Sequence, residues 1–475
     1  MTASGIFCKK RTDGFRPVKT TLFFFMVVAL FMFSGCGGGQ GQSPGPDNPD
    51  AKVKNPGAVN SPPPRYDEDA NIRVSKRKYV PKEVWDVEGT PNQEKERMYL
   101  GKALEKDPDN PEILFLLGFN NLEANRQDEA LSYFKKAIEK KPDYKVAYQN
   151  LADLYLRKKD YSEAEKTVES GLKYFSNDPS LVNSMVQIKL ERDGDSKGAE
   201  KIILSAMKDK SSDPRLNFAL AQIYFEQDEN EKGMKLLEDS VKNFPLYPNS
   251  YILLAEKYRD EKKDPNSGIK LLNKIIELVP SYSDSYMALG DLYLDKGEYR
   301  KAEAQYTLCL SKNPDSPGEI YIQTGKAYLG MNRPAGAIRN FRRALELKQG
   351  NEDDPIELEA LLGIAKAHIL KGNQTEAENA LKEAASKKKN NPSVTLVKAD
   401  LLYSQKKYDE ALKLLQSVKS GKDEEDDDNI VWEKHWRMAR ICKKTGRTDM
   451  AEKYLKEAVK EAPPYKKELI ENSVE

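Results

Sequence analysis

A 34-residue period constrains this chain more than any other feature of its sequence. Units begin near Pro111, Lys145, Ser180, Pro214, Pro248, Ser283, Gly318, Leu358, Pro392 and Trp432. The eighth position holds Gly118, Ala152, Gln187, Ala221, Ala255, Gly290, Gly325, Ala365, Ala399 and Ala439, small in every unit but one. The twentieth, after an insertion near Pro265, is small throughout: Ala130, Ala164, Ala199, Gly233, Gly268, Ala302, Ala337, Ala377, Ala411 and Ala451. Four positions later stand large residues, among them Phe134, Ile203, Leu272, Tyr306 and Phe341. Two antiparallel helices of about 12 to 14 residues approach closely only where their crossing carries no large side chain, and larger residues then fill the space around it. The pattern therefore predicts an all-α array of about ten antiparallel helix pairs. Composition agrees, since 39% hydrophobic against 32% charged residues leaves too little apolar material for several large globular cores.

The residues at these positions resemble the tetratricopeptide repeat. The unit from Pro111 to Pro142 matches its pattern at Leu117, Gly118, Ala130, Phe134, Ala137 and Pro142, and the unit from Ser283 at Leu289, Gly290, Tyr293, Ala302 and Pro314. The resemblance implies a right-handed superhelical solenoid over residues 91–465, with a polar tail, 466–475, closing the far end. Leu100, Ala103 and Pro108 read as the second helix of a half unit ahead of the first full one. Gln187 departs from the small residue expected there, and the insertions at 350–355 and 422–428 lengthen two joints.

Ahead of the array the chain carries an address. Lys9, Lys10, Arg11, Arg16 and Lys19 precede an apolar run from Leu22 to Phe33, whose 12 residues fall short of the roughly 20 that cross a bilayer. Phe33, Ser34, Gly35 and Cys36 follow, resembling the bacterial lipobox with Phe33 in place of the usual Leu. Residues 1–35 are thus expected to be a cleaved lipoprotein signal peptide and Cys36 the acylated N-terminus, anchored to the membrane by two or three chains. Gly37 in place of Asp implies, by the same resemblance, the outer membrane facing the periplasm. Residues 36–90, rich in Gly and Pro as far as Pro64, read as a disordered tether spanning roughly 40 Å. Val80, Val84, Trp85 and Val87 near its end either dock on the first helices or form a free partner motif, and Arg73, Lys76, Arg77 and Lys78 either stay solvated or touch anionic lipid.

Chemistry is thinly supplied. Lys plus Arg is 77 and Asp plus Glu 76, so no basic field exists to hold nucleic acid. Cys309, Cys442, His368 and His435 have no metal-ligand spacing, and the two cysteines lie four units apart. The expectation is no enzyme, no cofactor, no metal and no small-molecule substrate.

What remains is surface. The resemblance implies that the second, fifth, ninth and twelfth positions of each first helix line a concave groove. The partner-binding candidates are Phe115, Phe119 and Leu122 in the first unit, Phe218 and Phe225 in the fourth, Met287 in the sixth, and Trp436 and Arg440 in the tenth. Phe115 and Phe119 stand where relatives that clamp a C-terminal carboxylate carry Lys and Asn, which argues against that clamp. The expected function is a lipid-anchored envelope scaffold for protein–protein interaction in outer-membrane, pilus, secretion or polysaccharide-export assembly; the alternative is a periplasmic chaperone holding unfolded apolar segments.

Overall fold

A computed structural model describes residues 75, 76, 78–81, 84, 92–208, 213–314, 316–347, 355–388, 391–418, 428–467 and 470–471. The leader 1–35, Cys36 and the tether as far as residue 74 lie outside the described residues.

The described residues form an all-α solenoid without strands. A single helix, α1 (Gln93–Lys106), precedes ten pairs: α2 (Pro111–Glu123) with α3 (Gln127–Lys140), α4 (Lys145–Arg157) with α5 (Tyr161–Tyr174), α6 (Pro179–Glu191) with α7 (Ser196–Met207), α8 (Pro214–Glu226) with α9 (Asn230–Asn243), and α10 (Pro248–Asp260) with α11 (Pro265–Leu278). They continue as α12 (Ser283–Asp295) with α13 (Tyr299–Leu310), α14 (Pro317–Gly330) with α15 (Pro334–Glu346), α16 (Pro355–Lys371) with α17 (Gln374–Lys387), α18 (Pro392–Ser404) with α19 (Tyr408–Ser417), and α20 (Asp428–Lys444) with α21 (Thr448–Glu461). A 3-10 turn, Pro464–Lys466, follows. The helices group into two compact units. The first runs to Ser211 and takes in Phe225–Asp228; the second comprises Ser212–Tyr224 and Glu229–Glu475.

Local chemistry sets the helix ends. Proline opens nine of the helices, where its missing N–H would be unpaired anyway and its fixed φ is already helical. Asn110 and Asp178 accept backbone N–H bonds from the first turns of α2 and α6. Between the two helices of every pair one residue has positive φ: Asn125, Lys159, Gly194, Asp228, Lys263, Gly297, Asn332, Gly372, Lys406 and Gly446. This is the left-handed C-terminal turn that reverses a helix. At Asn125 it is closed by the Arg126 N–H donating to Asn121 O at 2.8 Å.

Packing inside the pairs follows the small and large positions. A Cβ on Gly118 would lie 2.6 Å from the Phe134 ring, and one on Gly325 2.6 Å from the Phe341 ring; Phe134, Tyr306 and Phe341 are essentially fully buried. Gln187, the exception, turns its amide to Glu191 at 2.8 Å and avoids the crossing. The inserted joints are partly taken up by longer helices, since α16 and α20 each have 17 residues and start ahead of the repeat register, at Pro355 and Asp428. No helix among the described residues is long and apolar enough to cross a membrane.

Part of the stretch assigned to the tether is ordered. Residues 75, 76, 78 and 79 are helical, with the Val80 N–H on Lys76 O at 3.0 Å, and Val80 and Val84 join the core of the first unit. Of the two readings of this stretch, docking is the one observed for Val80 and Val84, while Trp85 and Val87 lie outside the described residues.

Candidate functional site

The first unit buries its candidate residues. Phe115 is 2% exposed and Phe119 6%, with ring centroids 6.3 Å apart; Phe115 also lies 5.6 Å from the rings of both Phe134 and Tyr144. Lys76, Val80 and Val84 of the preceding segment pack with them. The Lys76 ammonium lies 5.0 Å from the Phe119 ring centre and 3.0 Å from carboxylate oxygens of both Glu96 and Glu123. The Tyr79 hydroxyl and the Lys78 ammonium donate to Glu112 at 2.7 and 2.6 Å, which holds that carboxyl below its usual range against the cost of its own burial. Leu122 packs at the edge of this core. Phe115 and Phe119 are therefore core side chains closed over by a segment of the same chain, because ahead of α2 there is sequence to cover them.

The other candidates fall in different surroundings. Phe218 is buried, edge-on to Tyr247 at 6.3 Å, while Phe225 is half-buried. Met287 is buried. Trp436 and Arg440 come together, the guanidinium 4.7 Å from the indole and 5.1 Å from the Tyr403 ring, a cation–π arrangement. They line a recess of about 480 Å³ that also takes in Asp400, Ile470 and Lys466.

Beside it the second unit holds a larger cavity, about 1010 Å³, formed by the first helices of six successive pairs, α10 to α20. Its wall mixes leucines, such as Leu294, Leu329 and Leu362, with paired charges. Arg437, buried on α20, donates to both Asp400 oxygens at 3.1 and 3.0 Å and to Glu433 at 2.7 Å. Arg259 bridges Asp260 at 2.7 Å and Asp295 at 3.0 Å. Asp291 accepts the Tyr306 hydroxyl at 2.6 Å, and burial pushes its carboxyl up to about 7. Desolvation likewise pushes the carboxyl of the half-buried Glu256 on α10 up to about 7. Such a wall can hold an extended chain by apolar contact and by charge.

Applied to every unit, the groove positions of the repeat find much of this wall. Arg259 is the twelfth position of its unit, Lys326 and Leu329 are the ninth and twelfth, and Leu362 and Lys366 the fifth and ninth. Tyr465 and Lys466, which also line it, lie beyond the last repeat and carry no such signal.

The nucleophilic and imidazole side chains are engaged elsewhere. Cys309 and Cys442 are free and buried, and burial raises both thiols, Cys309 to about 12. His368 is buried, which lowers its pKa. His435 is stacked on Tyr454 at 6.2 Å, with Nδ1 2.7 Å from Glu461. Among the described residues no group of three His, Cys, Asp or Glu side chains could hold a metal ion.

Helix pairs stacked in series, with a recess on the face of their first helices, define a repeat array of the kind that serves protein–protein interaction. Sequence profiles described as tetratricopeptide repeat match residues 121–187 and 375–427, residues 322–392, and residues 283–316 and 435–465. The chain belongs to the tetratricopeptide repeat family. Among solved structures it is similar to yeast Tom70, with 14% identity and a TM-score of 0.41 over 85% of this chain and 94% of that one. It is similar too to a tetratricopeptide repeat protein from Parabacteroides merdae ATCC 43184, with 15% identity and a TM-score of 0.36 over 62% of this chain and 98% of that one. No curated protein matches.

Proposed function

We propose that the chain is a lipid-anchored scaffold of a bacterial envelope, tethered by acyl chains on Cys36 at the outer membrane and facing the periplasm, where it gathers envelope proteins into an assembly or export machinery. The observation that carries the scaffold reading is the cavity of the second unit, walled by six successive first helices and furnished with both apolar and paired charged side chains. Exposed surface of this mixed kind suits recognition of a partner segment better than indiscriminate uptake of apolar chain. Phe225, Met287, Trp436 and Arg440 belong to the same reading as groove residues of their units. The work is binding, since Asp291, Asp295 and Glu433 of the wall are engaged by Tyr306, Arg259 and Arg437, and Glu357 and Glu359 by lysines. The anchor rests on the basic leader, the short apolar run and the small residues before Cys36.

Two measurements test this. Radiolabelled fatty acid is expected on the wild-type chain and absent from Cys36→Ala, and label that persists in the variant refutes the anchor. Crosslinking in intact cells is expected to capture one or two folded partners; recovery of a broad set of unfolded polypeptides refutes the scaffold.

A further inference from the structure

Past α21 the chain does not leave into solvent but turns back across the large cavity. The Tyr465 ring lies 5.0 Å from the Arg259 guanidinium on α10, and the Lys466 ammonium 3.2 Å from Asp295 Oδ1 on α12. Ile470, 3% exposed, packs with Trp432, Trp436, Ala458 and Ala462. A few residues beyond the tenth repeat thus touch the fifth and the sixth.

We propose that this cavity, together with the smaller recess beside it, is a binding site for an extended peptide segment carrying an aromatic residue directly followed by lysine or arginine, with a branched aliphatic residue four positions further on, and that the tail around Tyr465, Lys466 and Ile470 is its resident, exchangeable occupant. The tail itself reads out the chemistry the wall accepts: a ring against a guanidinium, an ammonium against a carboxylate, and an aliphatic side chain against two indoles. The cavity behind it stays large, so the tail bridges the site without filling it. Tyr465, Lys466 and Ile470 lie after α21 and outside every helix pair, so this segment can leave without opening one. A segment tethered this closely competes at an effective concentration on the order of millimolar, and an incoming partner must outbid it. Apparent affinity then falls in proportion to the fraction of time the site is open.

The proposal rests on the scaffold reading, but its test is separate. The probe is a fluorescein-labelled peptide with the sequence of residues 462–475, titrated by anisotropy against the full chain and against the full chain carrying Tyr465→Ala and Lys466→Glu. The released chain is expected to bind at least tenfold more tightly than the wild type, and Ile470→Ser to give a gain in the same direction. Binding should drop at least fivefold when the probe's first lysine is replaced by glutamate, or when Asp295→Asn is added to the released chain. Equal affinity for wild-type and released chains overturns the proposal, as does no binding to either at unchanged helical circular dichroism. Loss of helical signal on releasing the tail also overturns it, because the tail would then be a structural cap. Failure here leaves partner capture in cells standing through another face, whereas failure of capture in cells leaves the peptide affinities as measured.

Discussion

At a helix crossing the space for a side chain is smaller than a methyl group. The small eighth position and the large twenty-fourth are two halves of one contact, Gly118 with Phe134 and Gly325 with Phe341, and their recurrence made the fold legible from sequence. The fifteenth position was not legible, although ten units share its positive φ, because Gly, Asn, Asp and Lys all occupy it and a lysine there carries no sign of a turn. Phe115 and Phe119 show a different limit. An aromatic ring on a groove position is open or covered according to what runs beside it, and the segment that covers it has no repeat pattern to announce it. Asp291 gives a residue-scale prediction. Its folded pKa of about 7 lies above the ordinary carboxylate value, so between about pH 4 and 7 the unfolded chain is ionised where the folded one keeps its proton. Its contribution therefore falls as pH rises through that window, by on the order of a few kcal/mol in all. His368, whose pKa is lowered by burial, acts with the opposite sign below its usual value, while Asp264 and Glu298, held low by hydrogen bonds, lose their contribution only under more acid conditions. Asp291→Asn keeps an acceptor for Tyr306 and removes the titration. Its melting temperature should exceed that of the wild type at pH 8 and converge with it at pH 4; parallel curves at every pH would refute the assignment.

Among the elements, the helical residues 75, 76, 78 and 79 stand outside the repeat and pack by a buried ion pair. Lys76 is 3% exposed and Glu96 fully buried, and burial pushes the Glu96 carboxyl up even with the ammonium 3.0 Å away. Removing one partner of such a pair leaves a charge in a place that cannot solvate it, at a cost of about 3 to 5 kcal/mol. Lys76→Ala should therefore destabilise the first unit by an amount near that range, less whatever Glu96 recovers by taking up a proton. Adding Glu96→Gln should restore part of the loss, which denaturant unfolding of the single and double variants would measure. If Lys76→Ala is neutral, these residues do not hold the first helices in solution. The same comparison explains why the ends of the array were harder to read than its middle. Inside the array each helix meets a neighbour that the period predicts, whereas at either end the partner is non-repeating sequence, with Lys76, Val80 and Val84 at one end and Tyr465, Lys466 and Ile470 at the other. The wall of the large cavity was within reach of the sequence, through Arg259, Lys326 and Leu362 at groove positions; the tail lying on it was not, because contact between the tenth repeat and the fifth depends on how far the coil turns.

Among the described residues no single core holds the molecule together. Buried residues form successive clusters, and in a repeat array stability is a sum of terms within pairs and between neighbouring pairs. A defect should then be felt in its own pair and the adjoining ones. Ala302, on α13, is fully buried at a crossing, and α13 packs against both α12 and α14. Ala302→Leu puts three extra carbons where no space exists and should cost about 1 to 3 kcal/mol through displaced side chains and backbone. Native-state hydrogen exchange is the measurement, because it resolves opening free energies along the chain where a melting curve averages them. Amides of α10 to α15 should lose protection first and most, those of α8, α9, α16 and α17 less, and those of α2 to α5 not at all. A uniform loss from α2 to α21 would mean that all pairs open as one cooperative body, and the nearest-neighbour account of this fold would be wrong.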